Sequence, residues 1–245
     1  MSQLELSSRT GVSTRHLSFV ETGRAHPSRE LLLHLGRALD MPMRDTNRLL
    51  LGAGFAPVFG DAPIDAPEQQ DARDAIERVL KAHEPWPALV VDRHWNLVMA
   101  NKAAMLFTEG VADALLAEPL NVLRVCLHPD GLAPRISNLA TMAHHVLGGL
   151  QRQVDALSDP ALAALAEELR GYVADLDIET HDGDHGLAVT MELRRGDVTL
   201  RFLNLIATFG SAVDATTSEL SIETFLPADE ATAKALATAA SSLVG

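Results

Sequence analysis

The groups in this chain best suited to bond-making or metal binding fall in three short stretches. "HDGDH" (181–185) sets two carboxylates and two imidazoles in one tight loop, and "VCLHPDG" (125–131) places Cys126 two residues before His128. His144 and His145 are adjacent. A thiolate nucleophile needs a positioned base and an electropositive setting. Cys126 stands instead between Val125 and Leu127, the context of a small buried hydrophobe. Adjacent histidines on a helix point about 100° apart and share a metal poorly. The 181–185 stretch reads as an exposed turn before a strand, with a metal-dependent enzyme kept as an alternative. A Gly-rich phosphate loop and a nucleophile elbow are both missing from the sequence. The expectation is a protein with no catalytic residue, no metal and no cofactor.

A different chemistry is written into "GVSTRHLSFVETGRAHPSRE" (11–30). Gly11 permits the left-handed turn between two short helices, Val12 plugs that turn, and Leu17 and Val20 anchor the second helix from behind. Thr14, Arg15, Ser18 and Phe19 then face outward, where they could enter a major groove. Arginine can fork onto guanine, threonine and serine can donate or accept, and Phe19 could meet a thymine methyl. Gln3, Arg24 and His26 are placed to contact phosphates.

The elements that must position these residues can be read from periodicity. Helical segments are expected near 2–9, 13–21, 28–39 and 44–53, with Ser13 and Ser28 as N-caps and Gly23 and Gly54 as stops. A Pro-rich linker over 57–69 separates a first domain (1–56) from a second (70–245). In the second, an amphipathic helix covers 71–83 and two short strands flank a turn at Asp92–His94. Long helices follow at about 135–157 and 160–174. The period then drops to two at Leu187, Val189, Met191 and Leu193, and "DVTLRFLNLIATF" and "ELSIETFL" continue as strands before a closing helix. The fold class expected is a mainly α helix-turn-helix domain followed by an α+β domain built on an antiparallel sheet of about five strands.

Charge divides the same way. The net formal charge is −13, yet residues 1–60 hold seven Arg against five acidic side chains, a balance of +2, which leaves −15 on the remainder. Only the first part is suited to phosphate. The single cysteine excludes an internal disulfide. No apolar run approaches the ~20 residues of a membrane span. No secretory pattern opens the chain, so a cytoplasmic protein without membrane insertion is expected.

Residues 2–54 resemble the XRE-type (Cro/C1-like) helix-turn-helix domain, most closely over "GVSTRHLSFVETGRAHPSRELLLHLGRALDMP". That domain begins with a further helix and a basic stretch ahead of the part matched by "SQLEL". The resemblance therefore predicts fewer phosphate contacts here and less cover for Leu4, Leu17 and Leu35. The alternative function is a ligand- or lipid-binding sensor whose shortened head no longer binds DNA. "HEPWPALVVDRHWNLVMANKAAMLF" (83–107), "NVLRVCLHPDGLAPRISNLA" (121–140) and "IATFGSAVDATTSELSIETFLPADEATAKAL" (206–236) resemble the ligand-binding domain of MmyB-like transcription regulators. The resemblance implies a PAS-like fold, a bacterial regulator and a small apolar, fatty-acid-like ligand. Met105, Phe107, Leu139, Met142, Val146, Phe202 and Leu205 are the candidates to line its pocket, with Arg135 and Asn138 at a helix start as candidates to hold a carboxylate. Double-stranded DNA is the expected macromolecular partner, bound by a homodimer on two half-sites.

Overall fold

The computed structural model describes residues 2–177, 189–210 and 212–242. In chain order the helices are α1 (Gln3–Thr10), α2 (Thr14–Glu21), α3 (Arg29–Ala38), α4 (Met43–Gly52), α5 (Gln70–Ala82), α6 (Asp113–Leu116), α7 (Val122–Leu127), α8 (Leu139–Leu157), α9 (Pro160–Tyr172), α10 (Ala215–Ser218) and α11 (Glu230–Ser242). The strands are β1 (Ala88–Val91), β2 (Leu97–Ala100), β3 (Thr190–Arg195), β4 (Val198–Thr208) and β5 (Ser221–Pro227). They form two compact units. One is Met1–Arg73 with Phe209–Glu219, and the other is Asp74–Thr208 with Leu220–Gly245.

In the N-terminal unit, serine caps open three helices. Ser2, Ser13 and Ser28 accept from the backbone N–H groups of Glu5, His16 and Leu31, which fills a donor each helix leaves open. Gly11 ends α1 at φ 69°, a left-handed conformation that costs glycine little and lets α2 start three residues later. The His34 ring bonds the Thr10 carbonyl at 2.7 Å and so ties α3 to the α1–α2 turn. Leu17, Leu32 and Leu50 form the buried centre. Helices α3 and α4 approach closely at Gly36, where an added Cβ would stand 2.8 Å from Thr46 Oγ1.

The Pro-rich stretch is hydrogen-bonded rather than free. Buried Asn47 accepts from the amides of Val58 and Phe59 and donates to the Phe59 carbonyl at 2.8 Å. The 209–219 segment, which the sequence reading placed in the second domain, belongs to this unit. The Ala215 amide donates to Gly60 O at 2.7 Å, Gln69 donates to Asp214, and Arg44 pairs with Glu219 at 3.0 Å.

The C-terminal unit is built on one antiparallel sheet in the order β2-β1-β5-β4-β3. The β1–β2 turn closes on Asp92, whose Oδ1 accepts from the amides of His94 and Asn96, with Trp95 at φ 67°. Gly196 at φ 58° makes the β3–β4 turn. Helix α11 packs against β4 and β5. A second buried cluster joins α7, α8 and α9 through Leu127, Leu150, Leu162 and Leu169.

One expected element starts elsewhere. Helix α8 begins at Leu139, not near 135. Residues 133–135 form a separate short turn, and Ile136 makes a β-bridge to Leu193. The Ser137 amide donates to Glu192 O, and the Asn138 side chain bonds both Thr190 O and the Glu192 amide. The edge of β3 thus offers these residues partners that a longer helix would forgo. The 181–185 stretch and Leu187 lie outside the described residues.

Candidate functional site

The sheet and the helices facing it enclose a cavity of about 860 Å³, inside the ~300–1,000 Å³ range of small-molecule sites. Register decides which residues reach it. Glu223 lies opposite Leu89 of β1 and Ile206 of β4, and Phe225 lies opposite Asn204, so these side chains share one face. All five line the cavity. The opposing wall comes from Val122, Leu123 and Cys126 of α7 and Met142, Val146 and Leu150 of α8. Phe107 closes one side, with its ring 4.7 Å from Phe225 and 5.8 Å from Phe202.

The lining is not wholly apolar. Trp95 donates its indole N–H to Gln153 at 2.8 Å, and both line the cavity. His145 and Arg152 reach the lining from exposed positions on α8. Burial, then Arg152 and His144, hold the His145 imidazole below its usual pKa. Burial, followed by the nearby Glu223, pushes the Cys126 thiol up to about 12. The area Cys126 retains is turned toward the cavity, and a thiol so disfavoured from ionising is no nucleophile. Burial raises the Glu223 carboxyl to about 7.

Of the residues singled out from sequence for this pocket, Met105, Phe107, Met142 and Val146 line the cavity. Phe202 is fully buried behind Phe107 and Phe225, and Leu139 packs into the surrounding core; neither lines it. Leu205 is 51% exposed and points away. Positions 202 and 205 are an odd number apart on one strand, so they cannot share a face. Arg135 is also elsewhere. Its guanidinium bonds the carbonyls of Arg194 and Glu109, while Asn138 is spent on β3. Neither is placed to hold a head group in the cavity, because the helix start on which that expectation rested lies four residues further on, at Leu139.

In the N-terminal unit, α2 exposes Thr14 and Arg15 at its first turn, while Ser18 and Phe19 are half-buried. The Arg15 guanidinium lies over the Phe19 ring, 5.3 Å from its centroid. Arg24 and His26 are exposed after the helix, and the His26 ring is 5.9 Å from that of Phe55. Gln3 donates to Glu21 at 2.5 Å, which joins the start of α1 to the end of α2. Neither Arg15 nor Arg24 forms a carboxylate salt bridge among the described residues, so both guanidinium groups are available to an outside anion.

Residues 72–239 match the MmyB-like transcription regulator ligand binding domain, more than half of the chain. The chain belongs to that family. Residues 1–45 match a helix-turn-helix family, so the N-terminal unit is of XRE type and the whole is a DNA-binding transcription regulator with a ligand-binding domain. No curated protein matches the chain. Among the described residues, no helix is long and apolar enough to cross a membrane, and no group of three His, Cys, Asp or Glu side chains is arranged to hold a metal ion.

Sequence reasoning about this MmyB-like domain missed Glu223, Asn204, His145 and Arg152 as cavity residues. A signal for Glu223 was present in "ELSIETFL": a strand with Ser, Glu and Phe on one face has a charge where an apolar side chain would be expected. Strand β5 sits between β1 and β4 with both Ile222 and Glu223 buried, so alternation alone does not reveal the face that matters.

Proposed function

We propose that the ligand-binding domain takes an elongated, mainly apolar small molecule of fatty-acid-like shape, and that its binding changes the affinity of a homodimer for DNA. The observation that carries this reading is the 860 Å³ cavity walled by Leu89, Phe107, Met142, Val146, Leu150 and Phe225. Each methylene of a chain buried there contributes roughly 0.8 kcal/mol of gross driving force. An acidic head group would lie toward Arg152 and His145, the basic groups of the lining, in place of Arg135. Any ligand matters to regulation only if it favours one arrangement over another. Strands β4 and β5 carry Ile206, Ser221 and Glu223 at the cavity, and the segment that connects these strands belongs to the DNA-binding unit. A ligand that shifts the two strands would therefore act on that segment directly.

Native mass spectrometry and thermal shift with medium-chain fatty acids test the ligand. A concentration-dependent rise in melting temperature is expected. Protein that purifies empty and is stabilised by none of them overturns the apolar-ligand reading. Salt-dependent DNA shifts with and without the ligand test the regulation. Sedimentation at micromolar concentration tests the dimer, and a 26.3 kDa species alone counts against it.

A further inference from the structure

We propose that Asn204 and Glu223 form a recognition site for a hydrogen-bond donor inside the cavity, so that the ligand is an apolar molecule bearing a hydroxyl or amine. The inference rests on the cavity being the ligand site, and it names the chemistry at one place within it. Glu223 is 5% exposed, on the central strand of the sheet, between Leu89 and Ile206. An aliphatic side chain there would complete an apolar wall at no desolvation cost, whereas a carboxyl is penalised unless it is partnered. The partner it has is weak. Asn204 Nδ2 reaches Glu223 Oε2 at 3.5 Å, the outer limit of a hydrogen bond. Asn204 Oδ1 is buried with no partner, and no hydrogen bond reaches Glu223 Oε1 among the described residues.

Two acceptor oxygens, both on residues that line the cavity, thus lack a donor among the described residues. No basic side chain of those residues supplies one. Among the described residues the influences on Glu223 are burial and Asn204, and Glu223 in turn acts on the Cys126 thiol of α7. Arg152 and His145 also line the cavity, yet neither is paired with Glu223. A carboxylate head group would meet repulsion at this place. A hydroxyl or amine would satisfy the open oxygens and remove the cost of leaving Asn204 Oδ1 buried and bare. The raised carboxyl of Glu223 fits the same arrangement: the ionised form accepts from a hydroxyl or an amine, and the neutral form, present near pH 7, keeps a carbonyl oxygen that accepts while its O–H can donate to a hydroxyl.

The test is isothermal titration of the full chain with decan-1-ol, its methyl ether and dodecanoate. The alcohol and the ether differ in the donor. The alcohol is expected to bind about tenfold or more tightly than the ether, the size of one well-made buried hydrogen bond. That preference should fall to near unity in Glu223→Leu and in Asn204→Leu, and should persist in Glu223→Gln, whose amide oxygen still accepts. Equal binding of alcohol and ether to the parent protein overturns the proposal, as does a preference that survives in both leucine variants. If dodecanoate binds and the alcohol does not, the donor site is wrong while the apolar cavity stands. If no chain binds at all, both are wrong.

Discussion

Replacing Glu223 with glutamine should stabilise the ligand-binding domain at alkaline pH and do so progressively less as pH falls. The Glu223 carboxyl titrates at about 7 in the folded chain against 4.5 when free of burial. The folded state therefore holds a proton that the unfolded state has already lost between those values. Stability contributed by this group falls as pH rises through the window, and the full penalty is present above about pH 7. A shift of this size corresponds to about 3 kcal/mol at the alkaline end. Between pH 5.5 and 8.5 the gap between variant and parent should widen by about 2 kcal/mol. Glutamine keeps the shape and stays neutral, so its own curve lacks this slope. Trp86 and Trp95, the two tryptophans of the chain, both lie in this unit, so urea denaturation followed by their fluorescence reports on it specifically. A gap that does not change with pH would refute the reasoning, because burial of an ionisable carboxyl would then not be what Glu223 contributes.

Arg15→Ala should cost about 1–3 kcal/mol on a specific DNA site and little on random DNA, whereas Arg24→Ala should weaken both and flatten the salt slope; gel shifts on the two DNAs distinguish base from phosphate contact. Gly36→Ala places a Cβ 2.8 Å from Thr46 Oγ1 and should destabilise the DNA-binding unit by about 1–3 kcal/mol, read as a lower thermal midpoint by circular dichroism. Burial alone would raise the Asp159 carboxyl, but hydrogen bonds from His94 and the Ala161 amide, with Arg93 alongside, hold it at about 2 against 3.8. Its stabilisation is present above about pH 4 and is lost as pH falls toward 2. Asp159→Asn should therefore cost roughly 2 kcal/mol at pH 7, and tryptophan fluorescence should show the gap closing in acid.

Local chemistry made much of this protein legible in advance. Ser13, Ser28 and Gly11 act on the backbone within four residues of themselves, so the helices they cap or end can be read without knowing the fold. The two-residue period of Val189, Met191 and Leu193 likewise follows from one covered face, whereas β5 in "ELSIETFL" is legible as a strand but is covered on both faces. Long-range partners decided the rest. Ile136 falls on the apolar stripe of the helix expected from 135, yet β3, more than fifty residues away, bonds the backbone of Ile136 and Ser137 and the side chain of Asn138 instead. Arg135 is drawn off to carbonyls of Arg194 and Glu109 for the same reason. Segment 209–219 packs onto residues 44–69 through contacts no local pattern announces. Which face of β4 and β5 meets the cavity depends on strand register and on α7 and α8 closing over it. Composition and periodicity determine that a strand forms and that one side of it is covered. Only the assembled sheet determines that Glu223 and Asn204 are on that side.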